Sequence, residues 1–282
     1  MSVISIKNFS KKYGDFLAVD NISLTVNKGE IIGFVGKNGA GKSTTIRSMV
    51  NMIFPTKGEI LINDLDSVKD SKKIKKQLSY VPSESSFYDN MKVEELLDFC
   101  LKFCHADKER ISALANYFEL DLKKKISELS LGNAKKVSIV QAFLKESDVI
   151  VLDEPTSGLD PLMQNKFFDL LLKEKEKGVT IFLSSHNLSE IEKYCDKVII
   201  IKDGKIVDML EMKNVKLKHK QTVSYVLKNN EQKSFDFDGD INELLKELSK
   251  LDLISLEVKN KTVEDEFIDY YKEDDHHDKR FE

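Results

Sequence analysis

The feature that most constrains the fold is the octapeptide GKNGAGKS at residues 36–43. It follows the apolar run EIIGFV and precedes a helical pattern that begins at Lys42. A buried strand, a glycine-rich loop and a helix, in this order, form a cradle for a chain of phosphates. Gly36, Gly39 and Gly41 permit a tight loop whose backbone N–H groups face the phosphate oxygens. The sequence therefore predicts a phosphate-binding loop, although a glycine-rich turn with an incidental lysine would use the same letters.

Four side chains near this loop suit the hydrolysis of a nucleoside triphosphate. Lys42 can reach the terminal phosphates, and the hydroxyl of Ser43 can ligate Mg²⁺. The run VIVLDEP at residues 149–155 predicts a buried strand that ends in Asp153, where the carboxylate can bind Mg²⁺ or its water. Glu154 follows and can orient and deprotonate an attacking water. Asp153 alone would also suit a turn at the end of a strand.

The sequence says less about the base of the nucleotide than about its phosphates. A motif N-K-x-D, which reads guanine, is absent, because the Asn-Lys pairs that begin at residues 27, 165 and 260 all lack the Asp. Its absence favours adenine or permissive base recognition.

Strand and helix patterns alternate along most of the chain. The first thirty-five residues predict strands, and apolar runs at 149–152, 179–184 and 197–201 predict buried strands with helices between them. From about residue 84 to residue 145 the pattern is helical. This order predicts a parallel-sheet α/β core with a helical insertion.

The pattern changes after Asp208, where a small α+β unit is expected. QTVSYVL and QKSFDF predict strands around a turn at Asn229-Asn230, LISLEV predicts another strand, and VEDEFIDYY predicts a short helix. The segment INELLKEL predicts a helix with one apolar face, formed by Ile241, Leu244, Leu245 and Leu248. We place the core domain at 1–210, an accessory domain at 211–272 and a charged, disordered tail at 273–282.

Composition excludes several classes of function. The 282 residues carry a net charge of −4, which gives no basic face for nucleic acid. No run is apolar enough to span a membrane, and the N-terminus lacks a signal-peptide pattern. We therefore expect a cytoplasmic protein that is not inserted in the membrane and that serves a membrane process only by docking to a partner.

Two residue pairs raise the alternative of a metal site. Cys100 and Cys104 are four residues apart, but they continue the apolar helix face of Val93, Leu96 and Leu97, and no second ligand pair is near them. His276 and His277 lie among acidic residues of the tail, where a solvated segment is the simpler interpretation.

With these residues in view, residues 1–210 resemble the ATP-binding cassette ATPases. The resemblance rests on five ordered motifs, which are YG with Tyr13, GKNGAGKST, LSLGN, VIVLDEPTSGLD and LSSHNLSE. It implies a P-loop NTPase core of the α/β class, with a mixed sheet flanked by helices, an α-helical subdomain over about 84–145 and an antiparallel β subdomain.

The resemblance also implies roles for matching positions. Tyr13 would stack on adenine, His186 would contact the γ-phosphate, and Asp160 would lie in a loop that crosses to a second subunit. The remaining ATP-binding positions are Gly36, Lys37, Asn38, Gly39, Ala40, Gly41, Lys42, Ser43 and Thr44. Members of the family act as dimers, so the signature residues Ser130, Leu131, Gly132 and Asn133 would contact a nucleotide held by the partner. A histidine at the end of an apolar strand could otherwise be a simple strand cap.

The chain departs from the family pattern at two places. The signature L-S-G-G-Q becomes LSLGN, which keeps the hydroxyl of Ser130 and the glycine at 132. Leu131 would be strained if its backbone needed positive φ, at a cost of about 1–2 kcal/mol. After the run YVP the family has Gln, which would reach toward Mg²⁺ and the attacking water. Here Ser83 and Glu84 follow. Ser83 is shorter and would need a bridging water to make that contact, or Glu84 would have to take the place of the Gln. We expect a competent but slow site.

The resemblance implies the ATP-hydrolysing subunit of a membrane transporter, with a separate membrane-spanning permease and a second ATPase subunit as partners. An exporter of drugs, peptides or bacteriocin-like compounds resembles the chain most. Two alternatives stay open. The first is a soluble cassette ATPase that acts in translation or on DNA, and the second is an adaptor that binds ATP without hydrolysing it.

Overall fold

The computed structural model describes residues 2–104, 106–213 and 221–260. These residues form two compact units, which divide between Met209 and Leu210. The segment VEDEFIDYY, the tail and the pair His276–His277 lie outside the described residues.

The first unit contains most of the secondary structure. Its strands are β1 (Ser2–Tyr13), β2 (Phe16–Asn27), β3 (Ile31–Val35), β4 (Lys57–Ile62), β5 (Leu65–Asp66), β6 (Leu78–Val81), β7 (Val149–Asp153), β8 (Thr180–Ser185), β9 (Lys197–Lys202) and β10 (Lys205–Glu211). Its helices are α1 (Lys42–Met49), α2 (Ser71–Gln77), α3 (Val93–Leu101), α4 (Lys108–Tyr117), a 3₁₀ turn (Ile126–Glu128), α5 (Leu131–Leu144), α6 (Pro161–Glu176) and α7 (Leu188–Tyr194).

A six-stranded sheet forms the centre of this unit, with the strand order β10-β9-β3-β8-β7-β6. The pairs β9/β3, β3/β8, β8/β7 and β7/β6 are parallel. Every residue of β3, β7 and β8 is buried, as expected for parallel strands that are covered by helices on both faces. A two-residue turn joins β9 to β10, so that pair is antiparallel and the sheet is mixed. The predicted α/β fold with a mixed sheet is confirmed.

The N-terminal strands form a second, antiparallel sheet in the order β2-β1-β4-β5. Alternation in β2 buries Ile22, Leu24 and Val26, as the sequence pattern predicts. A two-residue turn, Gly14-Asp15, joins β1 to β2 and places Tyr13 directly opposite Phe16. The predicted antiparallel β subdomain therefore has an aromatic pair at the tip of its first hairpin.

Helices α3, α4 and α5 form the segment that the pattern predicts as helical. In α3 the side chains of Val93, Leu96 and Leu97 are buried, while Cys100 and Cys104 are half-buried. Helix α3 ends at Leu101, so Cys104 lies beyond the helix whose face it was predicted to extend. Among the helices in the described ranges, none is long and apolar enough to cross a lipid bilayer.

The second unit consists of strands β11 (Gln221–Leu227), β12 (Gln232–Phe237) and β13 (Leu253–Asn260) with helix α8 (Ile241–Leu248). The sheet is antiparallel, in the order β12-β11-β13. Val223 packs with Leu244 and Leu248 in its core. The predicted face of α8 is only half right, because Ile241 and Leu245 are exposed at the flanks of the buried pair.

Candidate active site

Parallel strands β3, β7 and β8 end at one edge of the central sheet, and the residues that follow them meet there. The glycine-rich loop follows β3, Asp153 ends β7, and His186 follows β8. Because β3 and β7 both pair with β8, these three strand ends are neighbours. Ligands of open α/β sheets bind at this carboxyl edge.

The glycine-rich loop owes its shape to three glycines. Gly39 and Gly41 have φ values of 85° and 107°, which side chains other than glycine adopt only with strain. Gly36 has a different reason, since a Cβ there would lie 2.3 Å from the carbonyl oxygen of Ile201. The loop therefore packs tightly on β9 while its backbone remains free to surround a ligand.

The ammonium of Lys42 is folded back onto this loop. Its Nζ donates to the carbonyl oxygen of Gly36 at 2.7 Å and lies 3.6 Å from Oε1 of Glu154. Only 6% of the residue is exposed. A buried ammonium next to one carboxylate and two loop carbonyls is placed to bind the anionic groups of a ligand that enters the loop.

Asp153 is fully buried and only one of its carboxylate oxygens has partners. Oδ1 accepts hydrogen bonds from the hydroxyls of Ser43 at 3.0 Å and Ser184 at 2.8 Å. Oδ2 has no hydrogen-bond partner among the described residues. A buried carboxylate oxygen without a partner is costly, and a hard cation bound by oxygen would satisfy it. The side chains of Ser43 and Asp153 therefore fit Mg²⁺.

Glu154 is held in an unusual backbone conformation. Its φ is +48°, a region that a glutamate seldom occupies, and its N–H donates to the hydroxyl of Ser184 at 3.0 Å. The side chain is bound at both ends of its carboxylate, by Lys42 and by Nδ1 of His186, which is 2.7 Å from Oε2. Strain of this kind persists where the surroundings fix it, and it aims the carboxylate at the cavity.

A cavity of about 500 Å³ opens beside these groups. Of the predicted ligand-binding residues, those that line it are Tyr13, Asn38, Gly39, Gly41, Lys42, Ser43, Thr44, Ser83, Glu84, Glu154 and His186. Gly36, Lys37 and Ala40 belong to the loop but do not line the cavity. The residues that the motifs select, from five separate segments, thus meet at one site.

The aromatic hairpin tip forms one wall of the cavity. Tyr13 and Phe16 both line it and are largely exposed. The ammonium of Lys11 lies 5.0 Å from the centre of the Tyr13 ring. Sequence reasoning missed Phe16, although its place directly after the turn Gly14-Asp15 is a signal that it faces Tyr13.

The signature residues lie at the N-terminus of α5 and do not line the cavity. Ser130 caps this helix, since its hydroxyl accepts from the N–H of Asn133 at 3.3 Å. Leu131 is the first residue of the helix and is 88% exposed. It is not among the residues with positive φ, so the strain considered for this leucine is absent. A Cβ on Gly132 would lie 2.5 Å from the carbonyl oxygen of Gly158, which explains the glycine.

Asp160 has a structural role in its own subunit. It caps helix α6, where its carboxylate accepts from the N–H of Met163 at 3.0 Å. Because Gly158 touches Gly132, the loop before Asp160 lies against the signature. These two segments form one continuous surface.

Sequence reasoning also missed Ser184 and Lys135. Ser184 bridges Asp153 and the N–H of Glu154, and its place at the end of a buried strand was a usable signal. Lys135 is buried in α5 and donates to the carbonyl oxygens of Pro82 at 2.9 Å and Ser83 at 2.6 Å. Burial lowers the pKa of its ammonium, while the charges of Asp153, Glu154 and Glu84 act in the opposite direction.

Comparison with known proteins agrees with this geometry. The family model described as ABC transporter matches residues 19–157. The chain is 36% identical over 212 residues to the probable multidrug ABC transporter ATP-binding protein YbhF of Escherichia coli, a match that covers 73% of this chain and 36% of the relative. It is 34% identical over 232 residues to the bacitracin transport ATP-binding protein BcrA of Bacillus licheniformis, covering 80% of this chain and 75% of the relative.

A solved structure described as the ATP-binding subunit of an ABC transporter superimposes with a TM-score of 0.71 at 29% identity, covering 76% of this chain and 92% of that one. The chain spans about a third of YbhF and three quarters of BcrA. The protein therefore belongs to the family of ABC transporter ATP-binding proteins.

Proposed function

We propose that the protein is the ATP-binding and ATP-hydrolysing subunit of a membrane transporter. The observation that carries the proposal is the grouping of Lys42, Ser43, Glu154 and His186 around one cavity, where Ser43 is hydrogen-bonded to the buried Asp153. A cationic loop, an oxygen site for Mg²⁺ and a carboxylate at the cavity wall are the parts that phosphoryl transfer to water requires.

The phosphate end of ATP would lie in the loop 36–43. Backbone N–H groups and the N-terminus of α1 would hold the phosphates, and Lys42 would exchange its loop carbonyls for phosphate oxygens. Ser43 and Asp153 would hold Mg²⁺, which when bound neutralises charge on the transferred phosphate. The tyrosine at the hairpin tip, Tyr13, would stack on adenine.

Glu154 would act as the general base on the attacking water. Its carboxylate lines the cavity and is hydrogen-bonded to Nδ1 of His186. That contact keeps the carboxylate in place and leaves the other ring nitrogen of the largely exposed His186 for the γ-phosphate.

Partner subunits complete the proposal. The residues that do not line the cavity of their own chain would contact the nucleotide of a second ATPase subunit, identical or not; they are Ser130, Leu131, Gly132, Asn133 and Asp160. ATP would close such a dimer and hydrolysis would reopen it. That cycle would drive a separate membrane-spanning permease, so the protein would act in the cytoplasm at the inner face of the membrane.

The names of two relatives indicate the class of cargo. YbhF is named as a multidrug protein and BcrA as a bacitracin transport protein. We propose that this chain serves an exporter of drugs, peptides or bacteriocin-like compounds. Its domain plan would be a nucleotide-binding domain over 1–210 and an accessory domain over 211–272.

The proposal is tested by measuring phosphate release at saturating ATP and Mg²⁺ for the protein with its membrane partner. Glu154→Gln should lower turnover by at least about a hundredfold, because a positioned base contributes roughly 10²–10⁴ in rate. Glu146→Gln, the same change at a largely exposed side chain, is the control. ATP binding without phosphate release by the wild type would instead indicate an adaptor. Co-purification with ribosomes or DNA would indicate the soluble alternative.

A further inference from the structure

Segment 82–85 forms part of the cavity wall and is attached to helix α5 by side chains of that helix. Lys135 donates to the carbonyl oxygens of Pro82 and Ser83, at 2.9 Å and 2.6 Å. One turn further along α5, the hydroxyl of Ser138 is hydrogen-bonded to that of Ser85. Positions three apart lie on one helix face, so a single face of α5 carries both attachments.

The attachment matters because Ser83 has little reach of its own. Ser83 and Glu84 line the cavity, but the serine side chain is too short to fix this wall relative to the phosphate loop. Lys135 bonds to backbone oxygens and therefore fixes the segment whatever side chains it carries. Only 4% of Lys135 is exposed, and a buried ammonium is costly unless carbonyls and nearby carboxylates compensate it.

The groups that face Lys135 come from two segments around the cavity. They are the carbonyls of segment 82–83, the carboxylate of Glu84 and, at longer range, the carboxylates of Asp153 and Glu154 at the end of β7. Lys135 thus feels the carboxylates of the predicted Mg²⁺ site and follows Ser130, the first of the signature residues, by five positions in the chain.

We propose that Lys135 is a positioning residue that couples the signature of this subunit to the wall of its own nucleotide cavity. A nucleotide held by the second subunit would contact the N-terminus of α5, and Lys135 would pass the resulting shift of α5 to segment 82–85. The role in coupling rests on the proposed function, whereas the attachment itself does not.

The chain supplies a matched control at the other end of the same helix. Lys145, the capping residue directly after α5, donates to the carbonyl oxygens of Lys75 at 2.7 Å and Leu78 at 2.6 Å. Its contacts are of the same chemical kind as those of Lys135, but it does not line the nucleotide cavity. A lysine that only stabilises the fold should behave alike at both positions.

Limited proteolysis of the full chain without nucleotide tests the attachment. In Lys135→Met, cleavage within residues 83–88 by a protease of broad specificity should be at least about tenfold faster than in the wild type, because local opening governs cleavage. In Lys145→Met this segment should be cleaved at the wild-type rate. Should Lys135→Met fail to fold, Ser85→Ala removes the other attachment and should accelerate the same cleavage. Unchanged cleavage in the folded Lys135 or Ser85 variant would overturn the proposal.

Steady-state turnover of the assembled transporter tests the coupling. Lys135→Met should lower kcat roughly tenfold with ATP affinity within about twofold of the wild type, since positioning is lost and direct ligand contacts are kept. Lys135→Arg should restore part of kcat, and Lys145→Met should leave kcat unchanged. Equal kcat losses in the two Met variants would overturn the coupling. If the wild type neither binds nor hydrolyses ATP, the proposed function fails, and the coupling with it. The proteolysis result still decides the attachment.

Discussion

At the scale of single residues, the site depends on carboxylates whose charge is incompletely compensated. Asp153 keeps one bare oxygen in the core, and Glu154 shares its carboxylate between Lys42 and His186. These contacts are weaker than those a bound metal and phosphate would make. The residues of the cavity therefore gain partners when ligand binds, which is the usual arrangement of a preorganised site.

Glu190 gives a prediction on the pH dependence of stability. It lies four residues after His186, and its Oε2 accepts from the hydroxyl of Thr156 at 3.1 Å, while Oε1 has no partner in the described part of the chain. Burial raises the pKa of this carboxyl above its ordinary value of 4.5. Above pH 4.5 the folded state therefore binds more protons than the unfolded state. The free energy of unfolding that this carboxyl contributes accordingly falls as the pH rises from 4.5 through the pKa of the folded state.

Glu190→Gln removes that titration. The free energy of unfolding of the variant, relative to the wild type, should be higher at pH 7 than at pH 4.5, as measured by urea titration at both values. Glu192→Gln, two residues along the same helix at a partly exposed side chain, is the control for the substitution itself. An equal difference at both pH values for Glu190→Gln would contradict the prediction.

At the scale of elements, the contact between the N-terminus of α5 and the loop before α6 joins two functional segments. The approach of Gly132 to the carbonyl of Gly158 leaves no room for a side chain. Signature and loop should therefore move together.

Gly132→Ala tests this contact. The added Cβ meets a backbone oxygen, so the free energy of unfolding should fall by about 1–3 kcal/mol, as for other overpacked sites. Leu131→Ala is the control, and its effect should stay within about 0.5 kcal/mol because the side chain is exposed. Urea unfolding of both variants measures the difference, and equal stabilities would contradict the account.

Elements with strong apolar patterns could be predicted from the sequence, and others could not. β3, β7, β8, β11, β12 and α8 match their predicted positions to within a residue or two, because buried runs and turn residues mark their ends. Helix α2 passes directly into β6 without a turn residue, and only Ile74 of that helix is buried, so neither element has a clear pattern.

The residues of the candidate site also divide into those that the sequence predicts and those that it does not. Loop glycines and strand-end carboxylates are local features, which a sequence displays. The burial of Lys135 is not local, since it depends on segment 82–83, some fifty residues earlier in the chain. In the sequence, NAKKV looks like an exposed turn of helix.

At the scale of the whole molecule, the described residues form two units with separate cores. All the residues that line the nucleotide cavity belong to the first unit. The second unit has its own small core around Val223, which supports its assignment as an accessory domain.

A chain that ends at Lys213, after strand β10, tests this separation. It should keep the ATP affinity of the full chain to within about twofold, because no cavity residue is removed. Fluorescence titration with an ATP analogue compares the two chains, with Lys42→Met in each as the control for specific binding. A loss of binding in the folded, shortened chain would show that the second unit is needed for the site.

Calorimetric titration of the full chain with ATP and Mg²⁺ tests the nucleotide site most directly, in the Glu154→Gln variant so that turnover does not interfere. We expect saturable binding of one nucleotide per chain. Lys42→Met should weaken it by roughly 10- to 100-fold, the worth of charged hydrogen bonds to phosphate, and Asp153→Asn should remove its dependence on Mg²⁺. The absence of saturable binding, or binding that Lys42→Met leaves unchanged, would contradict the account.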